Sequence, residues 1–399
     1  MSLAGTVAYG LLTSFWVLQS AAALVKTRKA ARLFREHRRW LDKGAKPHQK
    51  RCVALVIAVK GVSENFDRFL DFALGQDYSD YRVIFVTASE EDPAHVAIRE
   101  KLGDSHRASL VVAGTAEHTG QKVHNQLAAF RHLQDADRIV AFADGDLFGR
   151  KDWLSCLVLP LNLSQADCTT GYRWFIPADQ SMPNRVLSLI GTAIEPLIGP
   201  NWRMCLWGGS MAVTREVFEE LEIPKNLDGS INDDARISQL ARQSDKRMRF
   251  VRSVAAPSPV DFTWASLFEF GRRQYFQLRI YQPLLWWMAL MIPVAFLVSF
   301  TTCLVGLCMG NLLMLAPIVA AIVLNLARTK VRLGYLKSRF DQGEASPLED
   351  SVRGSWWLDP VINVVHLLII LSSACGRVIV WAGIRYRVTG PQKTEIVSR

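Results

Sequence analysis

The sequence predicts an α/β domain with a mostly parallel, doubly wound sheet, attached to a membrane by apolar helices at both ends. Two observations support this prediction. Short apolar strands alternate with helical stretches between residues 52 and 280, which is the pattern of parallel βαβ units. Long stretches without charge lie on both sides of that region, and about 20 apolar residues are enough to cross a bilayer.

The N-terminal segment has the features of a membrane anchor. Residues 1–25 contain no charged side chain, and residues 26–51 then carry eleven Lys and Arg against two acids. A cleaved signal peptide would carry its positive charge before the apolar stretch rather than after it. We therefore predict a retained transmembrane anchor at 1–25, a basic juxtamembrane segment at 26–51, and a cytosolic domain at 52–280. The formal net charge of +10 is then explained by a membrane surface, not by nucleic acid.

The C-terminal part is predicted to return to the membrane. No charged side chain lies between Arg279 and Arg328, and Gly310-Asn311 interrupts this apolar stretch. The predicted segments are a membrane region at 281–385, with spans at about 283–309 and 311–327 and a third apolar segment at about 360–384, and a tail at 386–399. A third full span would place the basic tail outside, against the positive-inside rule. That segment is therefore re-entrant, interfacial or an exception to this rule. The side of the membrane on which the C-terminus lies stays open.

The central region contains four continuous apolar runs that predict buried parallel strands: 52–59, 81–89, 108–114 and 138–144. Sheets of this kind bind ligands at the carboxyl ends of their strands. The seven cysteines are odd in number and show no zinc-binding spacing. They predict free thiols in a reducing compartment instead of a disulfide framework.

Two carboxylates end the fourth predicted strand, in the stretch Asp144-Gly145-Asp146. Mg²⁺ takes few protein carboxylates and several phosphate oxygens, and an Asp-x-Asp on a tight turn suits a cation bound to a diphosphate. The alternative is that both acids are ordinary turn residues. Further acids follow the second strand, at Glu90-Glu91-Asp92-Pro93, and precede a predicted helix, at Asn232-Asp233-Asp234.

The order of these motifs resembles the ceramide glucosyltransferase family (family 21) of inverting, family-2-like glycosyltransferases. The resemblance covers nearly the whole chain and implies a GT-A fold, a UDP-sugar donor, a lipid acceptor in the bilayer and a divalent cation, Mg²⁺ or Mn²⁺. The motifs that carry it are Lys60-Gly61-Val62, Asp92-Pro93-Ala94, Lys122-Val123-His124-Asn125, Asp144-Gly145-Asp146, Gly208-Gly209-Ser210, Asp233-Asp234 and the stretch WAGIRYRV at 381–388.

The resemblance also implies roles for individual residues. Asp234 would be the general base, with Asp144 and Asp146 as metal ligands. Nucleotide-sugar contacts would come from Lys60, Asp92, Lys122 and Asp144, although either lysine could instead be a solvated surface charge. The acceptor side would include Asp233 and the loop Trp207, Gly208, Gly209 and Ser210.

One family motif, (Q/R)xxRW, is not kept in this sequence. Alignment on Leu278-Arg279-Ile280 places Gln274-Tyr275 where Arg-Trp is expected, with Gly271 at the first position. Arg272 and Arg273 are close enough to supply the cation, and Tyr275 an aromatic face on the acceptor side. We predict nucleotide-sugar contacts from Arg272, Arg273 and Gln274.

The predicted function is transfer of a sugar from a UDP-sugar to a membrane lipid, with ceramide as the family's acceptor. Three alternatives remain at this point: another lipid acceptor such as a hopanoid or a diacylglycerol, a polysaccharide synthase, and an inactive membrane scaffold. The sequence does not identify the sugar, because similar acidic motifs bind several UDP-sugars. It also does not distinguish a Golgi membrane from a bacterial inner membrane.

Overall fold

A computed structural model describes residues 3–42, 51–103, 107–199, 201–340 and 342–399. Within these ranges, ten strands form two sheets, and β1 to β7 belong to the larger one. The strands are β1 Val53–Ala58, β2 Tyr81–Thr87, β3 Ala108–Val112, β4 Ile139–Asp144, β5 Cys168–Pro177, β6 Ser210–Thr214, β7 Met248–Val260, β8 Val378–Trp381, β9 Ile384–Gly390 and β10 Lys393–Ser398.

The described α-helices pack against the larger sheet or, in the case of α11 and α12, against other helices. In chain order they are α1 Leu3–Asp42, α2 Phe66–Leu74, α3 Pro93–Leu102, α4 Gln121–Phe130, α5 Trp153–Asn162, α6 Met182–Ile194, α7 Arg215–Glu220, α8 Ile223–Leu227, α9 Asp233–Gln243, α10 Trp264–Tyr281, α11 Pro283–Cys308, α12 Leu315–Lys337, α13 Gln342–Arg353 and α14 Asp359–Ala374.

The seven-stranded sheet has the order β3-β2-β1-β4-β6-β5-β7. Strand β6 runs antiparallel to both of its neighbours, and the other described strands of this sheet are parallel to one another. The mostly parallel sheet predicted from the sequence is therefore confirmed, as are all four predicted strands. Their apolar runs are continuous because both faces of the sheet are covered. In β1, for example, Val53, Leu55 and Ile57 pack into one core, and Ala54 and Val56 pack into the other.

The N-terminal helix α1 continues past the predicted end of the anchor at residue 25 and includes the first part of the basic segment. Its first half lies along α11, where the Trp16 ring packs edge-on against Phe296 and Phe300. Its second half reaches the α/β domain, where Arg38 forms an ion pair of 3.2 Å with Asp152. Residues 1–2 and 43–50 lie outside the described residues.

Two described helical segments, Pro283–Cys308 and Leu312–Lys337, are long and apolar enough to cross a membrane. They correspond to the two spans predicted at 283–309 and 311–327. The second continues ten residues beyond its predicted end. The polar stretch that follows contains a further helix, α13, at Gln342–Arg353.

The C-terminal prediction differs from the structure. The apolar segment predicted at 360–384 is helical only to Ala374, where α14 ends. Gly376 follows with a φ of 77°, and the remaining chain forms the three-stranded sheet β10-β9-β8 where a tail was predicted at 386–399. The reason is visible in β9, where buried Ile384, Tyr386 and Val388 alternate with exposed Arg385 and Arg387. This period of two is typical of a half-buried strand.

Candidate active site

The candidate site lies at the carboxyl ends of β1 and β4, where the sheet order changes direction. Strands β1 to β3 extend to one side, and β4 lies on the other side of β1. A crevice at such a switch point is the usual ligand site of open α/β sheets. Asp144 is the last residue of β4. Because β6 is antiparallel to β4 and pairs Ser210 with Ala143, the loop before β6 lies beside Asp144.

Lys122 connects the two main acidic motifs. Its Nζ lies 2.8 Å from Asp144 Oδ1 and 3.3 Å from Asp233 Oδ2. The side chain comes from the first turn of α4, and α9 supplies Asp233. Burial would lower the pKa of Lys122, but the carboxylates of Asp144, Asp233 and Asp234 outweigh it and raise that pKa. The lysine is therefore fully charged.

Asp144 is ionised as a consequence of the same pair. Burial has the largest single effect and would raise the pKa of its carboxyl group, but the charge and hydrogen bond of Lys122, with the charge of Arg173, together hold that pKa below its usual range. Lys122 and Asp144, both predicted to contact the nucleotide sugar, are thus in direct contact, and β4 ends on a half-buried charge pair.

Asp233 and Asp234 begin helix α9, which Asn232 caps by accepting a hydrogen bond from Ala235 N at 2.8 Å. Asp234 is half-buried, and its Oδ2 accepts a hydrogen bond of 2.6 Å from Gly208 N. Burial, followed by the neighbouring Asp233 carboxylate, raises the pKa of Asp234 to about 7. A carboxylate with a pKa near the working pH is suited to general base catalysis.

Asp233 is fully buried beside these groups. Its Oδ2 accepts a hydrogen bond of 2.6 Å from Gln126 Nε2 in addition to the contact with Lys122. Its Oδ1 has no hydrogen-bond partner among the described residues. A buried carboxylate oxygen without a partner is costly, and such atoms concentrate at sites that bind a polar ligand.

The loop before β6 needs its two glycines because other groups lie where side chains would begin. A Cβ on Gly208 would lie 2.9 Å from Asp233 Oδ2 and 3.0 Å from Lys122 Nζ. A Cβ on Gly209 would lie 2.5 Å from Asp144 Oδ2 and 2.3 Å from the Trp207 ring. The predicted acceptor loop is therefore in contact with the acidic cluster.

Ser210 does not belong to this open part of the site. Its side chain is fully buried and accepts a hydrogen bond of 2.9 Å from Trp153 Nε1. Its contact with Trp153 is structural, which corrects the prediction that Ser210 faces the acceptor. Trp207 is partly buried against the core of the α/β domain.

Asp92 and Lys60 lie on the β1–β2 side of the crevice. Asp92 caps α3 by accepting a hydrogen bond of 2.9 Å from Ala94 N, and the same Oδ1 accepts one of 2.8 Å from Gly61 N. The Asp92 carboxylate thus fixes the loop that carries Lys60. Lys60 is exposed, and its Nζ donates a hydrogen bond of 2.7 Å to the carbonyl of Ala382.

Asp146 lies on the opposite side, where Arg173 of β5 pairs with its Oδ2 at 3.1 Å. About half of the Asp146 side chain is exposed, so its carboxylate can still bind a ligand. No cluster of three or more His, Cys, Asp or Glu side chains that could hold a metal ion occurs within the described ranges. Asp144 and Asp146 nevertheless fit a Mg²⁺-like cation, which takes one or two protein carboxylates and completes its shell with water and phosphate.

The residues predicted to replace the (Q/R)xxRW motif make different contacts in the structure. Arg272 donates hydrogen bonds to the carbonyls of Ser372, Cys375 and Val378. It therefore stabilises the end of α14, which corrects its predicted nucleotide contact. Gln274 is exposed. Tyr275 hydrogen-bonds to His366 Nε2 on α14, so its hydroxyl is turned towards the apolar helices.

Arg273 is the member of this set that stays near the site. Its guanidinium carbon lies 5.6 Å from the centre of the Trp381 ring and 5.5 Å from that of Phe270. Burial lowers the pKa of Arg273, and the charge of Arg173 lowers it further against the opposite effect of Glu269. The two arginines therefore lie on the same side as Asp146.

Three residues of the site were missed by the sequence analysis: Gln126, Arg173 and Gln277. Gln126 lies one turn after Lys122 on the same helix, a spacing that places both side chains on one face and could have identified it. Gln277 is buried, and its Oε1 accepts a hydrogen bond of 3.0 Å from Asn232 Nδ2. No local pattern indicated Arg173 or Gln277, because their partners are far away in sequence.

A nucleotide-sugar transferase is the class of enzyme that this combination of sheet, switch-point crevice and acidic cluster suggests. Family comparison supports that class, because the model of glycosyl transferase family 21 matches residues 12–394. The chain belongs to glycosyl transferase family 21. No curated protein matches the chain significantly.

Several solved structures are similar to the chain at low sequence identity. The mannosyltransferase PcManGT from Pyrobaculum calidifontis, in complex with GDP-Man and Mn²⁺, is 15% identical with a TM-score of 0.48, over 91% of this chain and 99% of that one. S. aureus TarS 1-349, in complex with UDP-GlcNAc, is 10% identical with a TM-score of 0.38, over 86% and 99%. Glucosyl-3-phosphoglycerate synthase from Mycobacterium tuberculosis, with Mn²⁺, UDP and glucosyl-3-phosphoglycerate, is 15% identical with a TM-score of 0.41, over 57% and 79%.

Proposed function

We propose that this family 21 glycosyltransferase transfers a sugar from a UDP-sugar to the hydroxyl group of a membrane lipid, with inversion at the anomeric carbon. Ceramide is the acceptor that the family resemblance implies. The observation that carries the proposal is the carboxyl group of Asp234. It is half-buried, hydrogen-bonded to Gly208 N, and has a pKa raised to about 7, next to the ionised pair of Lys122 and Asp144.

The reaction uses Asp234 as the general base. A lipid hydroxyl is a weak nucleophile, so a carboxylate that takes its proton speeds the attack. The hydroxyl oxygen forms a bond to the anomeric carbon of the sugar while the bond from that carbon to the β-phosphate oxygen breaks. The proton moves to Asp234, and UDP leaves with the electron pair of the broken bond. A single displacement of this kind inverts the anomeric configuration.

The donor binds on the side of the crevice that carries the positive charges. Lys60 and Arg273 both contact the turn between β8 and β9, at Ala382 and Trp381, and Lys122 lies at the end of β4. Arg173 adds a second guanidinium group beside Asp146. Arginine and lysine are suited to diphosphate binding because they offer charge-assisted hydrogen bonds. Asp92 supports this side by fixing the loop of Lys60.

A divalent cation, Mg²⁺ or Mn²⁺, would be held by Asp144 and Asp146. When bound, such an ion neutralises the charge that develops on a departing diphosphate. Both carboxylates are paired with a cationic side chain in this structure. With an ion bound, the two carboxylates would either keep these cationic partners or release them to the phosphate groups of the donor.

A lipid acceptor is supported by how the site is connected to the apolar helices. Asn232, which caps the helix of Asp234, is hydrogen-bonded to Gln277 on α10, and α10 is followed after one residue by α11. The beginning of α11 has an exposed apolar surface that includes Leu284, Trp287 and Met291. This surface suits the bilayer interface. We place the chain in a membrane as a multi-pass protein with its α/β domain in the cytosol.

The experiment is a transfer assay with the purified full chain in lipid nanodiscs. UDP-glucose, UDP-galactose and UDP-N-acetylglucosamine are each combined with ceramide, diacylglycerol or a hopanoid, and products are identified by mass spectrometry. We expect one glycolipid to form with inverted configuration. Release of UDP without any glycolipid product would contradict the lipid acceptor. The absence of both UDP release and UDP binding would favour the inactive scaffold.

A further inference from the structure

The C-terminal sheet, β8 to β10, lies against the elements that form the active site. The tip between β8 and β9 accepts the hydrogen bond from Lys60 at Ala382 O. The Tyr386 hydroxyl of β9 accepts a hydrogen bond of 3.2 Å from Gln121 N, next to Lys122. Gln392 Oε1 accepts one of 2.7 Å from Arg236 on α9. The sheet is therefore connected to both sides of the crevice.

The tip itself is a tight turn of fixed shape. Ala382 and Gly383 both have positive φ angles, 52° and 84°, which are typical of a two-residue hairpin turn. This turn places Ala382 against Lys60, which follows β1. Trp381 contacts Arg273, and Ala382 contacts Lys60, so one short turn holds two of the proposed donor-binding cations.

Arg273 depends on this tip for its position. Among the described residues, its recorded contacts are the faces of Phe270 and Trp381 and the charges of Glu269 and Arg173. Stacking on two rings fixes the guanidinium plane and leaves its N–H donors available for a ligand. Arg173, which pairs with Asp146, lies over the ring of Phe175, and that ring packs edge-on against Phe270 beneath Arg273. The two guanidinium groups are thus connected by one pair of rings on the Asp146 side of the crevice. A diphosphate has the charge to bind between them.

We propose that the β8–β9 tip is a wall of the donor site and that Trp381 is a positioning residue, holding Arg273 against the diphosphate of a nucleoside diphosphate. This inference rests on the proposed function, because it assumes that a UDP-sugar binds in the crevice. It adds a role for the last strands of the chain, which follow the membrane helices and return to the catalytic domain.

The test measures binding of UDP, UMP and uridine by calorimetry to the full chain in detergent. Trp381→Ala should weaken UDP binding about three- to tenfold, the size expected for one cation–π contact, and leave UMP and uridine binding within about twofold. Trp381→Phe should restore most of the UDP affinity because it keeps an aromatic face. Val380→Ala, at an exposed position of the same strand, is the matched control and should bind UDP like the unmodified chain.

A double-mutant cycle separates positioning from general loss of structure. Arg273→Gln should weaken UDP binding by a similar factor, and the combination with Trp381→Ala should weaken it little further. Independent effects that multiply would overturn the inference, as would equal losses for UDP and UMP or an unchanged UDP affinity in Trp381→Ala. If the unmodified chain binds no UDP, the proposed function fails before this inference is tested.

Discussion

At the scale of single residues, the proposed chemistry depends on how the charge of Asp234 is balanced. Burial and the Asp233 carboxylate raise its pKa, and Asp144 adds to this increase. Lys122 and the Gly208 N–H act in the opposite direction. Burial has the largest effect, and the result is a pKa of about 7. Asp144 differs because Lys122 is in direct contact with it. The same cluster thus contains an ionised carboxylate and one that gains and loses its proton near neutral pH.

The pH dependence of turnover follows from this balance. Below a pH of about 7, Asp234 is mostly protonated and cannot take the proton of the lipid hydroxyl group. We expect kcat to fall about tenfold for each pH unit below that value. The measurement is steady-state transfer between pH 5 and 9 with saturating donor and acceptor. A flat profile across this range would contradict the assignment of Asp234 as the base.

The same pKa also makes stability depend on pH. The pKa of Asp234 is raised in the folded state from an ordinary value of 3.8, so folding favours the protonated carboxyl group. The stability that this protonation adds to the folded state is fully present below pH 3.8. This contribution is lost as the pH rises through about 7. Above a pH of about 7, where the proposed mechanism uses ionised Asp234 as the base, its charge therefore destabilises the folded state.

At the scale of elements, helix α9 is the part that must be placed accurately, since it carries both Asp233 and Asp234. Its N-terminal cap, Asn232, is fixed by Gln277 of α10 at 3.0 Å. Tyr281, one turn later on α10, accepts a hydrogen bond from Ile231 N and donates one to Pro391 O. Helix α10 therefore connects the catalytic helix, the C-terminal sheet and the apolar helix α11.

The contribution of this connection can be measured by Gln277→Leu. The substitution leaves the buried amide of Asn232 without its acceptor, which we expect to cost about 1–3 kcal/mol in the free energy of unfolding. Gln274→Leu, at an exposed position on the same helix, is the comparison and should change stability little. Thermal unfolding in detergent gives both values. Equal changes for the two variants would argue against a role for Gln277 in holding α9.

The sequence was most informative for elements with strong patterns. The four predicted strands were identified from apolar runs, and two of these runs, at 81–89 and 138–144, are followed by acidic motifs that belong to the candidate site. The C-terminal strands were missed because their alternation of apolar and polar residues follows directly after an apolar helix. Between residues 360 and 384 the helix and the first strand therefore look like one apolar segment. Contacts such as Asn232–Gln277 and Asp146–Arg173 could not be predicted, because they join residues that only the fold brings together.

At the scale of the whole molecule, the C-terminal sheet is in contact with the α/β domain, so the proposed membrane arrangement must place both on the same side. The sheet bonds to Lys60, Gln121 and Arg236 of the α/β domain. In the membrane arrangement that we propose, the number of complete crossings between Tyr281 and Val378 is therefore even. Helices α11 and α12 supply two candidate spans. Helix α14 has 16 residues, or about 24 Å, which is short for a hydrocarbon core of about 30 Å.

This arrangement gives a topology that can be tested. An epitope at the C-terminus should be accessible from the same membrane face as the α/β domain. An epitope inserted between Gly310 and Asn311, in the turn between α11 and α12, should be accessible only from the opposite face. Antibody labelling of sealed vesicles of known orientation measures both. Labelling of the C-terminus from the face opposite to the α/β domain would contradict the position of the C-terminal sheet.

The most direct test of the central claim compares the unmodified chain with Asp234→Asn. Asparagine has nearly the same size and can still accept the hydrogen bond from Gly208 N, but it cannot take a proton. Formation of glycolipid from a UDP-sugar is measured in nanodiscs by mass spectrometry, with UDP affinity measured in parallel. The account predicts that Asp234→Asn forms no detectable glycolipid and binds UDP within about threefold of the unmodified chain. Glycolipid formation at the unmodified rate would contradict it.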